Sequence, residues 1–236
     1  MAASLAVLAP AARAADRGTT TVVDLPTRGA TQRILYVRAA APVANLVFLP
    51  GHTGHLGIEP DGSMPTIVGR CAPLARTRDA FAARGISVAL VDRTSDGKIR
   101  QFVDIREVVR HMRANDDLPI WIVGGSGSTV AALTIAAEVP PEEPLGVVVF
   151  SPNIPDPSVA TRVKRPVLVV YHRDDAPYIP MVGPLVEALA AASVRERIEL
   201  SGGSNEGCGH HLFTGIEAQF VETVAGFILK HNPPRR

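Results

Sequence analysis

Ser126 sits in the run I-V-G-G-S-G-S-T-V-A-A (122–132), among three glycines, after an apolar stretch and before a helix-forming one. A serine hydroxyl attacks a carbonyl only when a neighbouring base takes its proton. Gly124-Gly125-Ser126-Gly127-Ser128 comes close to G-x-S-x-G, the sharp strand-to-helix turn that pushes a nucleophilic serine into the open. The last position is Ser128 rather than glycine, and the demand there is small size, which serine partly meets. Two rival readings of the run fail on residue types. A phosphate loop needs a lysine before its Ser/Thr, and the dinucleotide fingerprint needs a third glycine where Val130 stands.

A base and an orienting acid must then follow, in the chain order serine, acid, histidine. The strand-like P-V-L-V-V-Y-H (166–172) runs into R-D-D-A-P, which offers Asp174 and Asp175 as the acid. G-C-G-H-H-L-F (207–213) offers His210 and His211 as the base. Taken singly, an Asp-Asp pair is usually a solvated turn and a histidine pair a loop or metal site. Their order behind Ser126 is what points to acyl transfer. Charge on the attacked carbonyl needs backbone N–H donors. Gly127, next to the serine, and His52, in L-P-G-H-T-G-H (49–55), are the candidate oxyanion hole. His52, His55, His210 and His211 match no metal-ligand spacing, so neither a metal nor a cofactor is expected.

These residues need elements to hold them at separate strand ends. N-L-V-F-L-P-G (45–51), I-S-V-A-L-V-D (86–92), I-W-I-V-G (120–124), G-V-V-V-F-S (146–151) and 166–172 are short unbroken apolar runs, the pattern of strands buried on both faces. T-T-T-V-V-D-L, R-I-L-Y-V-R and R-I-E-L-S add outer strands. Amphipathic stretches alternate with them: 74–85, 102–112, 128–138, 184–192 and 216–229. The expected fold class is α/β, a doubly wound, mostly parallel sheet with helices on both faces. Ligands bind such sheets at the carboxyl ends of the strands. A long Gly/Pro/His-rich loop, His52 to Pro73, is expected to stay mobile or only partly ordered over the site.

The 236 residues are enough for one sizeable domain, and 46% are hydrophobic. A net charge of +1 and few aromatics argue against nucleic acid or anionic lipid as a partner. Past the N-terminus no run reads as a membrane span. Residues 1–18 read instead as a leader: a short apolar core ends in A-R-A before Ala15, like a secretory signal, though without a basic start. The domain is then 19–236, with a periplasmic or secreted location expected and a cytoplasmic one as the alternative. Two cysteines in an exported protein suggest one disulfide, Cys71 to Cys208.

On L-P-G-H-T-G, G-G-S-G-S, Y-H-R-D-D-A-P and G-H-H-L-F the chain resembles the α/β-hydrolase superfamily over residues 30–231. More narrowly it is similar to small, often exported bacterial members. Those carry an R-T-R-x-x-F helix (Arg76, Thr77, Arg78, Phe81) and a late cysteine before H-H-x-F-x-G-x-E (Cys208, His210 to Glu217). The resemblance implies Ser126 as nucleophile, Asp175 as acid and His210 as base, with Asp174 and His211 as alternates. His172 occupies a place that is usually glycine in the superfamily. Residues 151–165 are too few for a cap domain. The implied reaction is hydrolysis of a small-molecule ester through an acyl-enzyme. Peptidase, thioesterase or lactonase chemistry, or non-catalytic binding, are the alternatives.

Overall fold

The computed structural model describes residues 18–97, 101–140, 143 and 145–232. The leader expected over 1–18 falls almost entirely outside them. Eight strands form one sheet: β1 (Thr19–Thr27), β2 (Ala30–Arg38), β3 (Ala44–Leu49), β4 (Ile86–Val91), β5 (Ile120–Gly125), β6 (Leu145–Phe150), β7 (Pro166–His172) and β8 (Val194–Leu200). Their spatial order is β1-β2-β4-β3-β5-β6-β7-β8. β1 and β2 are antiparallel and join β4 antiparallel, while β4 through β8 run parallel.

β3, β4, β5 and β6 are buried at every position, which is why they read as unbroken apolar runs. β8 alternates exposed and covered residues, as an edge strand does. Helices α1 (Ile67–Cys71), α2 (Pro73–Ala82), α3 (Gln101–Asn115), α4 (Thr129–Glu138), α5 (Ile179–Ala188) and α6 (Glu217–His231) lie between and after the strands. One core packs α3, α4 and α5 on one face of the sheet, through Ile105, Val108, Met112, Leu133 and Leu185. The other packs α2 and α6 on the opposite face, through Leu74, Phe81, Phe220, Val224 and Ile228. The stretch His210–His231 is long and apolar enough in composition to cross a membrane, with a mean hydropathy of 1.4. Its Phe220, Val221, Val224, Phe227 and Ile228 are instead core side chains of this domain. This corrects the reading that no such run exists past the N-terminus.

Two stretches differ from the sequence reading. The His52–Pro73 segment takes a defined path and contains α1. Asp92, at the end of β4, holds it: the carboxylate accepts the N–H groups of Leu56 (2.8 Å) and Ile58 (2.7 Å) and meets the ring of His55 at 3.2 Å. Thr66 caps α1 by accepting the Gly69 N–H at 2.9 Å. α5 begins at Ile179, five residues before the expected start. Pro180 lies in its first turn, where the missing N–H costs nothing, and Pro184 falls inside.

The chain leaves β3 toward β4 on one side and returns to β5 on the other. That reversal opens a crevice at the carboxyl ends of β3 and β5. His52 follows β3 and Ser126 follows β5.

Candidate active site

β5 ends at Gly125 and α4 begins at Thr129, with one 3-10 turn, Ser126–Ser128, between them. Ser126 has φ +48°, a left-handed conformation that costs a side-chain-bearing residue energy. The glycines before it are there for space. A Cβ on Gly124 would lie 2.5 Å from the Ser128 carbonyl and 2.7 Å from the Ala132 Cβ, where strand and helix meet. A Cβ on Gly125 would lie 2.2 Å from the Phe150 ring. Ser128, the departure from the expected glycine, is buried, and its hydroxyl donates to the Pro50 carbonyl at 2.6 Å. It ties the serine turn to the loop after β3.

That loop brings His52 beside the serine. His52 is also left-handed, with φ +56°. A Cβ built on Gly127 would find the His52 backbone nitrogen as its nearest atom, 3.8 Å away. The backbones of the two residues expected to hold an oxyanion thus lie next to each other, and both line the same cavity. His55 turns away to Asp92, so it does not line the site.

The candidate acid and base come from the ends of β7 and β8. Asp175 is 5% exposed, and its Oδ2 lies 2.7 Å from Nδ1 of His211. A carboxylate can only accept, so Nδ1 carries the proton and the His211 Nε2 keeps a free lone pair. His210, the residue favoured by the resemblance, has no such partner among the described residues. Its ring stacks on His172, centroids 4.4 Å apart and planes within 10°. The physical reason lies in the 3-10 turn His210–Leu212, in which successive side chains point about 120° apart. Only one of the two histidines can face Asp175. Asp174 is turned outward, with its side chain 55% exposed.

Three contacts missed by sequence reasoning hold the His210–Leu212 turn. Ser151, buried and with φ +43°, donates its hydroxyl to the His211 carbonyl at 2.7 Å. Arg76 of α2 bonds the Leu212 carbonyl and the Glu217 carboxylate. Tyr178 lays its ring against His211 at 4.3 Å. The R-T-R signature pointed to Arg76; single serines give no such signal.

Ser126, His52, Gly127 and His211 line one cavity of about 530 Å³. Its other walls are Phe48, Phe150, Ile67, Val68, Pro73, Leu212, Asn153 and Tyr178. No Lys, Arg, Asp or Glu lines it among the described residues. Cys71 and Cys208 are disulfide-bonded, Cα atoms 5.3 Å apart, and both face this cavity. The bond joins the end of α1 to the loop that carries His211. Between β6 and β7 only a short 3-10 segment, Ser158–Arg162, is present, so no cap covers the site there.

His172, Asp174 and His210 gather potential metal-ligand atoms within 4.8 Å of one another. Both ring nitrogens of His172 are already engaged, with the Gly202 carbonyl and the Asp174 N–H, so this histidine has no lone pair to give.

No protein-family model and no curated protein matches the sequence. Solved structures do match the fold. The dienelactone hydrolase of Anabaena variabilis superposes with a TM-score of 0.66 at 17% identity, over 92% of this chain and 100% of its own. The Pyrococcus furiosus esterase gives 0.69 at 13% identity, over 95% of both chains. A variant of the Saccharomyces cerevisiae monoglyceride lipase gives 0.64 at 11%, over 96% of this chain and 100% of its own. The chain has the α/β-hydrolase fold, in a small form without a cap.

Proposed function

We propose that the protein is a serine hydrolase that cleaves uncharged carboxylic esters, with Ser126 as nucleophile, His211 as base and Asp175 as the acid that orients it. The observation that carries this reading is the 2.7 Å Asp175–His211 pair in the same cavity as a left-handed serine. The esterase and lipase names among its structural neighbours agree with it.

In the reaction, His211 Nε2 takes the Ser126 proton as Oγ bonds the acyl carbon. The Gly127 and His52 amides receive the developing oxyanion. Collapse breaks the ester C–O bond, and the leaving alkoxide takes the proton from His211. Water, deprotonated by the same Nε2, then cleaves the acyl-enzyme and restores Ser126. Asp175 keeps the proton on Nδ1 and stabilises the imidazolium. A lining without ionised carboxylates, lysines or arginines favours neutral substrates, and Phe48, Phe150, Ile67 and Val68 favour an apolar acyl group. The Cys71–Cys208 bond supports an oxidising location, periplasmic or secreted.

The test is hydrolysis of p-nitrophenyl esters of graded chain length, with fluorophosphonate labelling of the serine. The reading expects turnover and a label on Ser126, both lost in Ser126→Ala. An unlabelled, inactive wild type would instead favour a binding protein on this fold.

A further inference from the structure

We propose that His172, which touches no substrate, is the positioning residue that keeps the acid turn and the base turn aligned with each other. The inference rests on the Asp175–His211 reading above. His172 is the last residue of β7 and is completely buried. Its Nε2 lies 2.9 Å from the Gly202 carbonyl, which can only accept, so Nε2 carries the proton. Its Nδ1 accepts the Asp174 N–H at 3.0 Å. The ring is therefore neutral and in one tautomer.

Those two bonds and one stack reach three segments. Asp174 precedes the acid, Gly202 opens the loop after β8, and His210, stacked at 4.4 Å, precedes the base. Ser151 and Arg76 fix the base turn alone. Tyr178, hydrogen-bonded to the Asp175 carbonyl, joins the turns by one ring contact to His211, whereas His172 spans them with two bonds and a stack. The glycine usual at this place in the resembled superfamily could make none of these contacts. Protonating Nδ1 would break its bond to the Asp174 N–H. The ionisable groups against the ring are His210 and the Asp174 carboxylate, 3.8 Å from Nδ1. Arg173 is occupied by Glu199, and His211 itself faces Asp175 and Tyr178.

Two variants separate the bonds from the stack. His172→Phe keeps a ring against His210 and loses both bonds. His172→Asn keeps an acceptor for the Asp174 N–H and loses both the Gly202 bond and the stack on His210. For His172→Phe we expect kcat to fall about 10- to 100-fold with KM within about threefold, the size of effect that a small misplacement of catalytic groups produces. The acid limb of the rate–pH profile should move to lower pH, because a loosened Asp175 stabilises the His211 imidazolium less. His172→Asn, which reaches only the acid turn, should recover neither the rate nor the limb. A folded His172→Phe with wild-type kcat and an unmoved limb overturns the proposal, as does an Asn variant with the wild-type rate and limb.

The unmodified protein supplies a check that needs neither variant to fold. Imidazole 15N spectra should show His172 as the Nε2–H tautomer. The low-field Nδ1–H signal of His211 should disappear in the same pH transition that protonates His172. A His172 that titrates without disturbing that signal ends the idea. If the wild type proves inactive, the hydrolase reading fails separately, and this titration still decides whether the turns are coupled.

Discussion

Asp175 holds His211 at 2.7 Å, while the adjacent His210 lies flat on His172 and faces away from the acid. Two consecutive histidines with identical chemistry thereby receive different partners from one 3-10 turn. His211→Ala should lower kcat/KM by about a thousandfold or more, as loss of a triad base does. His210→Phe, which keeps a ring on His172, should stay within about tenfold of wild type. Equal losses would show that the base is not assigned by this contact.

The paired aspartates should separate in the same way. Asp175→Asn leaves an amide beside Nδ1 and favours the wrong imidazole tautomer, a change that costs about 10⁴ in kcat in the well-studied triad. Asp174→Asn should be nearly silent, because its carboxylate is 55% exposed and stays 3.8 Å from His172 Nδ1, while the hydrogen bond to that nitrogen comes from the backbone N–H. Steady-state kinetics on both variants, checked for folding by thermal melts, decide the matter.

The disulfide should be quantitative in the purified protein. Thiol titration after denaturation without reductant should find no free thiols. The bond spans 137 residues of sequence, so the double variant Cys71→Ala/Cys208→Ala should lose about 2–5 kcal/mol of stability. For a chain of this size that is a fall in Tm of roughly 5–15 °C. A melt that does not move would show that the bridge adds nothing to stability.

Arg76 should link acidity to the integrity of the base turn. Burial pushes the Glu217 carboxyl up, but the backbone N–H groups of Glu217 and Gly215 and the Arg76 guanidinium outweigh it, and its pKa is lowered in the folded protein. A lowered folded pKa stabilises above the unfolded value, and that stability is lost as pH falls through the folded one. Arg76→Met should therefore lower the melting temperature at neutral pH and flatten its decline on acidification. Thermal melts between neutral and strongly acidic pH measure both. An unchanged slope would remove Glu217 from the account.

Much of the architecture was legible because its cause is visible in residue types. Strands covered on both faces must be apolar throughout, so β3 to β7 stood out as runs. The order of Ser126, Asp175 and the histidine pair followed from strand ends. What escaped was set by three-dimensional detail. α1 is five residues long and contains Gly69, too short for a periodic pattern. The prolines of α5 disguised its first turns. Choosing His211 over His210 needed the angle of one turn, which no spacing encodes. Ser128 and Ser151 act through single hydroxyls on carbonyls, and a serine with that task looks like any other.

The bridge between Cys71 and Cys208 also closes the backbone into a covalent ring that contains the Ser126 turn and the Asp175 turn, with His211 just outside it. A protease that cuts one loop inside this ring opens a circle and frees no fragment. The nicked molecule keeps both pieces until a reductant separates them, so a single cut inside the ring need not dismantle the site.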